Sequence, residues 1–179
     1  GVLCGGWSDE RPVSLDSGKS AHESLLGNNL NTFIFDFQYD DIDLLSKFIK
    51  SNNIDLVLNL IHGSGGEDGL VQSYLDRLSI KYVGSNSKSS KLSFNKVHTK
   101  EIWLRNKLKT PNYLKLSDNI SSKDIKEMFD EKFILKPCES GSSVGIKIFD
   151  SANFYSSSCT DILKKLSLNS ANVHDYFIE

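Results

Sequence analysis

Hydrophobic positions in the first half of the chain fall into two alternating rhythms: short period-two runs, and longer stripes repeating every three to four residues. "VLC" (Val2 to Cys4) stops at Gly5-Gly6, and from about Ser14 a helical stripe carries Leu15, Ala21, Leu25 and Leu26, with Gly27 as its stop. "TFIFDF" sets Phe33, Phe35 and Phe37 against Thr32, Ile34 and Asp36, which predicts a strand. Asp40 or Asp41 then caps a helix with Ile42, Leu45, Phe48 and Ile49 on one face. "DLVLNLI" is short and branched, as a buried strand is. A glycine-rich loop, a helix through Val71, Tyr74, Leu75 and Leu78, and the strand "KYVG" follow. Strand–helix alternation at this spacing predicts parallel βαβ units.

The rhythm changes at about Ser87. One helix is expected from there to about Asn106, then a strand "NYLKL" opened by Pro111. Ser121 and Asp124 have capping-box spacing before Ile125, Met128 and Phe129. Two strands flank the loop of "FILKPCESGSSVGIKIF", a helix covers Ile162 to Leu166, and "NVHDYFIE" opens a last strand. The organisation expected is an α/β chain of two domains, residues 1–86 and 87–179. Both ends fall within strand-like runs, so an incomplete chain is expected.

Composition narrows the function classes. A chain of 179 residues with 39% hydrophobic and 25% charged residues can form a packed core. A net charge of −2 leaves no basic footprint for nucleic acid or an anionic membrane, and no apolar run approaches the ~20 residues of a membrane span. Cys4, Cys138 and Cys159 are odd in number and lack paired spacing, which argues against a disulfide framework or a zinc site. Small-molecule partners and a cytoplasmic location are the expectation.

Three loops carry candidate chemistry, each at the carboxyl end of an expected strand, where open α/β sheets bind ligands. In "GGWSDERPVSLDSG", Gly5-Gly6 allow a sharp turn and Glu10 can hold an ammonium group. In "HGSGGEDG", four glycines in eight residues imply tightly bent backbone, and His62 can donate to a carboxylate. In the third, Lys136 ends an apolar strand, where an ammonium is expensive unless it meets an anion. Gly141 and Gly145 let "ESGSSVG" fold over that anion, with Ser142 and Ser143 offering hydroxyl and N–H donors. The spacing is not that of a P-loop. Lys96 is a possible second cation; alone, a helical lysine is more often a surface group. His22, His98 and His174 show no ligand spacing and read as structural or surface groups.

In order and separation, "GGWSDERPVSL", "HGSGGEDGLVQSYLDRLSIKYVGS", "NKVHTK" and "LKPCESGSSVG" resemble the D-alanine–D-alanine ligase family of the ATP-grasp superfamily. The resemblance implies a Rossmann-like (pre-ATP-grasp) parallel-sheet domain followed by an incomplete α+β ATP-grasp domain. It implies ATP-dependent joining of two D-alanines through an acyl phosphate, for peptidoglycan synthesis. Glu10 matches the carboxylate that holds the first D-alanine's ammonium, and Ser142 the lid serine that works with it. His62 matches the histidine beside that substrate's carboxylate. Lys96 and Lys136 match the lysines on the ATP phosphates, while Gly141, Ser142 and Ser143 match the lid. Asp175, Tyr176 and Ile178 fall where the adenine-binding strand is expected, normally entered with a Glu. Pro12 departs from the usual Glu and is expected to be tolerated in a loop. Magnesium ligands are expected beyond residue 179, and a homodimer is possible. The alternatives are a D-alanine–D-lactate ligase, or a non-catalytic α/β module that binds a small anion or nucleotide.

Overall fold

A computed structural model describes residues 1–38, 40–141, 143–155, 157–169 and 171–179. The chain divides into two compact units, Gly1–Phe94 and Asn95–Glu179. Among the described residues no helix is long and apolar enough to cross a membrane.

The first unit is a four-stranded parallel sheet in the order β2-β1-β3-β4, built from β1 (Val2–Gly5), β2 (Ile34–Phe37), β3 (Leu56–Asn59) and β4 (Lys81–Val83). Helices α1 (Arg11–Gly27), α2 (Ile42–Ser51) and α3 (Leu70–Arg77) connect the strands, and α4 (Ser87–Phe94) follows β4. Its core gathers Leu3, Phe37, Leu45, Val57, Val71 and Leu75. Asp41 caps α2, accepting from the Asp43 and Leu44 N–H groups. The face of α1 that is fully buried is not its leucine stripe but Ser14 and Gly18. A Cβ on Gly18 would stand 2.4 Å from that of Cys4, so only glycine lets the helix lie this close to β1. Pro12 lies in the first turn of α1 rather than in a loop, where its missing N–H removes no helical hydrogen bond.

The order reverses between β1 and β3, the strands on either side of the crossover point. The loops leaving their carboxyl ends therefore flank the crevice in which such sheets bind ligands.

The second unit is an antiparallel sheet in the order β5-β8-β6-β7, formed by β5 (Leu114–Lys115), β6 (Lys132–Pro137), β7 (Lys147–Asp150) and β8 (Tyr176–Ile178). Helices α5 (Lys96–Arg105), α6 (Ser122–Met128) and α7 (Cys159–Leu166) complete it. Ile125, Phe133, Leu135, Phe154, Ile162 and Ile178 fill the main core. Val97, Cys138 and Phe177 form a smaller cluster, with Tyr113 against it.

The single helix expected over 87–106 is two helices. Asn95 is extended at φ −82°, ψ 111°, and its side chain caps α5 by accepting from His98 N–H at 3.1 Å. The expected strand "NYLKL" is only two residues long, Leu114–Lys115, paired with Ile178 and Phe177 of β8. The capping box at Ser121 and Asp124 forms as its spacing predicts.

Candidate functional site

In the first unit the loops after β1 and β3 are stitched together by short polar side chains. Ser14 Oγ accepts from Gly5 N–H at 2.8 Å and donates to the Leu60 carbonyl at 2.6 Å, tying α1 to both strand ends. Ser8 Oγ donates to the His62 carbonyl at 2.8 Å. Glu10 is 6% exposed, and a Cβ on Gly63 would stand 2.9 Å from its Oε1, so the carboxylate lies directly against the glycine-rich loop. The His62 ring is bracketed by Glu67, with Nδ1 to Oε1 at 3.6 Å, and by Ser17 Oγ at 3.5 Å from Nε2. The loops carrying Glu10 and His62, far apart in sequence, thus meet at one crevice.

Further contacts fix these loops in place. Arg11 makes a two-pronged ion pair with Asp36, at 2.8 and 2.6 Å, and its Nη1 also donates to the Gly6 carbonyl. The hydrogen bond from Arg11 outweighs partial burial and holds the Asp36 carboxyl below the usual carboxylate range. Trp7 lies across Gly65, where any Cβ would stand 2.5 Å from the indole ring. Asp68 shapes the end of the loop by accepting from Gly65 and Leu70 N–H, and Gly69 enters α3 at φ 89°.

In the second unit Lys136, Cys138, Phe177 and Glu179 share one face of the sheet, because β6 and β8 pair with Lys136 opposite Phe177. Glu179 bridges two ammonium groups. Lys136 Nζ meets its Oε1, and Lys100 Nζ its Oε2 at 2.5 Å. The Lys100 side chain is only 8% exposed, and its ammonium also donates to Thr110 Oγ1 at 2.9 Å and to the Pro111 carbonyl at 3.3 Å. It lies 5.4 Å from the Tyr113 ring centroid and 5.9 Å from that of Phe177, within cation–π range of both. Burial opposes the charge on Glu179, but hydrogen bonds from Lys100 and Lys136 prevail and hold its carboxyl below the ordinary value. Lys136, the more exposed of the two lysines at 23%, faces solvent on one side.

The loop after β6 is tethered to the start of α5. Lys96 Nζ donates to the Ser140 carbonyl, and Asn95 Nδ2 to Glu139 Oε1 at 2.9 Å. Val144 N–H closes a turn on the Gly141 carbonyl at 3.0 Å, and Ser143 and Gly145 take positive φ values of 62° and 75°. Ser142 lies outside the described residues. Asp175 and Tyr176 line a cavity of about 400 Å³ with Asn95, Cys138 and Glu139. Its carboxylates suit a ligand that donates hydrogen bonds. Burial pushes the Cys138 thiol up to about 11, so it is an uncharged wall group there at neutral pH. Ile178 does not line the cavity; its side chain is fully buried in the main core.

The sequence reading missed Lys100 and Glu179. Both carried a signal: Lys100 falls three residues after Val97 on the buried face of α5, and Glu179 follows the apolar run Tyr176–Ile178 as Lys136 follows its own. A charge at an apolar position needs a partner.

Comparison with known proteins agrees with the geometry. A family model described as "D-ala D-ala ligase N-terminus" matches residues 38–85. D-alanine–D-alanine ligase B of Xanthomonas campestris pv. campestris is 38% identical over 157 residues, covering 84% of this chain and 48% of that protein. The chain thus spans about half the length of the curated relatives it matches. The D-alanine–D-alanine ligase of Bacillus anthracis superimposes with a TM-score of 0.75 at 28% identity, over 99% of this chain and 55% of that one. A D-alanine–D-alanine ligase of Bacillus anthracis solved in complex with ATP shares the fold, with a TM-score of 0.72 at 24% identity over 99% and 56% of the two chains. Sequence and fold together place this chain in the D-alanine–D-alanine ligase family, matching its amino-terminal portion.

Proposed function

We propose that the protein carrying this chain joins two D-alanines into D-alanyl-D-alanine with ATP, for peptidoglycan synthesis, in the cytoplasm. The observation that carries this reading is the 38% identity to a D-alanine–D-alanine ligase over 157 residues, 84% of this chain. In this reaction class a phosphoryl group activates the carboxylate of the first D-alanine, and the amine of the second displaces phosphate.

The chain's own residues divide the labour by unit. In the first, Glu10 holds the ammonium of the first D-alanine, and His62 donates to its carboxylate, where negative charge must be held through acyl transfer. In the second, Lys136 and Lys96 neutralise phosphate charge, and Gly141, Ser142 and Ser143 cover the phosphates with hydroxyl and N–H donors. Phosphoryl transfer depends mainly on such positioning and charge neutralisation. Asp175 and Tyr176 receive the adenine, with Ile178 anchoring their strand in the core. Among the described residues no cluster of three or more His, Cys, Asp or Glu side chains could hold a metal.

The test is turnover by the full-length gene product. Phosphate release and dipeptide formation with ATP and D-alanine are expected. Turnover with L-alanine and none with D-alanine would overturn the reading, and preference for D-lactate as second substrate would redirect it.

A further inference from the structure

We propose that Lys100 is a positioning residue that holds Glu179 and thereby frees the ammonium of Lys136 for an anionic ligand. This rests on the reading of Lys136 as a nucleotide-phosphate group.

The charges make the case. Two ammonium groups share one carboxylate, leaving one positive charge in excess on a partly buried sheet face. The two lysines are not equivalent. Lys100 is locked by Glu179, Thr110, Pro111 and two aromatic rings, whereas Lys136 has Glu179 as its charged partner and is nearly three times as exposed. An arriving phosphate can therefore draw Lys136 away from Oε1 without leaving the carboxylate uncompensated, because Lys100 stays on Oε2. Without Lys100, moving Lys136 would strand a largely buried carboxylate, which is strongly unfavourable. Glu179 would then compete with the ligand for the same ammonium. Lys100 touches no phosphate in this scheme; it acts through Glu179 on Lys136.

The scheme makes a double-mutant prediction, measured as ATP affinity of the full-length gene product. Lys100→Met should weaken ATP binding about tenfold, in KM for ATP more than in kcat, and Lys100→Arg should restore most of it. In a Glu179→Gln background, Lys100→Met should change ATP affinity by less than about twofold, because the competing charge is gone. A merely structural lysine would give equal losses in both backgrounds, and that result would overturn the proposal. A second measurement needs no variant. Amine acylation with and without ATP should show Lys136 protected by the nucleotide and Lys100 unreactive in both states. Protection of Lys100 by ATP, with Lys136 unchanged, would reverse the assignment. If the unsubstituted protein binds no ATP, the functional reading fails, and this proposal with it. If it binds ATP and the two backgrounds respond alike, only the proposal fails.

Discussion

At the residue scale the second unit turns on Glu179, whose carboxyl is held below its ordinary value by two lysines despite burial. Its pKa is lower in the folded chain than in the unfolded chain, so this group's stabilisation is complete above the unfolded value of about 4.3. It fades as pH falls through the depressed folded value. Glu179→Gln should therefore lower the melting temperature at neutral pH and flatten its fall below about pH 4. Parallel melting-temperature curves for the two proteins across that range would refute the assignment. His62 stood out in the sequence at the head of a glycine-rich run and Lys136 at the end of an apolar strand, whereas Glu10, a loop carboxylate after Gly5-Gly6, gains weight only from its place against the His62 loop. Lys100 carried only the weaker signal of its place three residues after Val97; the partner that turns it inward is Glu179, 79 positions further along the chain.

At the element scale, small residues decide how α1 meets the sheet. The sequence suggested leucines as the buried stripe, yet Ser14 and Gly18 make the closest approach. Propensity predicts that Gly→Ala within a helix stabilises by about 1 kcal/mol. Gly18→Ala should instead destabilise the protein by about 1–3 kcal/mol, since the new methyl would overlap Cys4. Gly27→Ala, at the end of the same helix with nothing within 4 Å of the added Cβ, should be neutral or mildly stabilising. Chemical denaturation of both variants checks the pair, and equal effects would contradict this packing. Strand and helix order in the first unit was legible up to β4 because period-two and period-3.6 runs differ plainly. The break at Asn95 was less so: it is made by one side chain capping α5, against apolar residues that continue on both sides.

At the scale of the whole molecule, each unit has its own sheet and core, and each carries a candidate site at its own strand ends. The first brings a buried carboxylate beside a glycine-rich histidine loop. The second sets an excess of ammonium charge beside a tethered serine and glycine loop. The central claim is that Lys136 provides that charge to a nucleotide's phosphates. It is tested most directly by calorimetric titration of ATP into the full-length gene product and its Lys136→Met variant. The account predicts an affinity loss of about ten- to a hundredfold, the worth of one charged hydrogen bond, with the fold retained because Lys100 still holds Glu179. ATP affinity equal to that of the unsubstituted protein would contradict it.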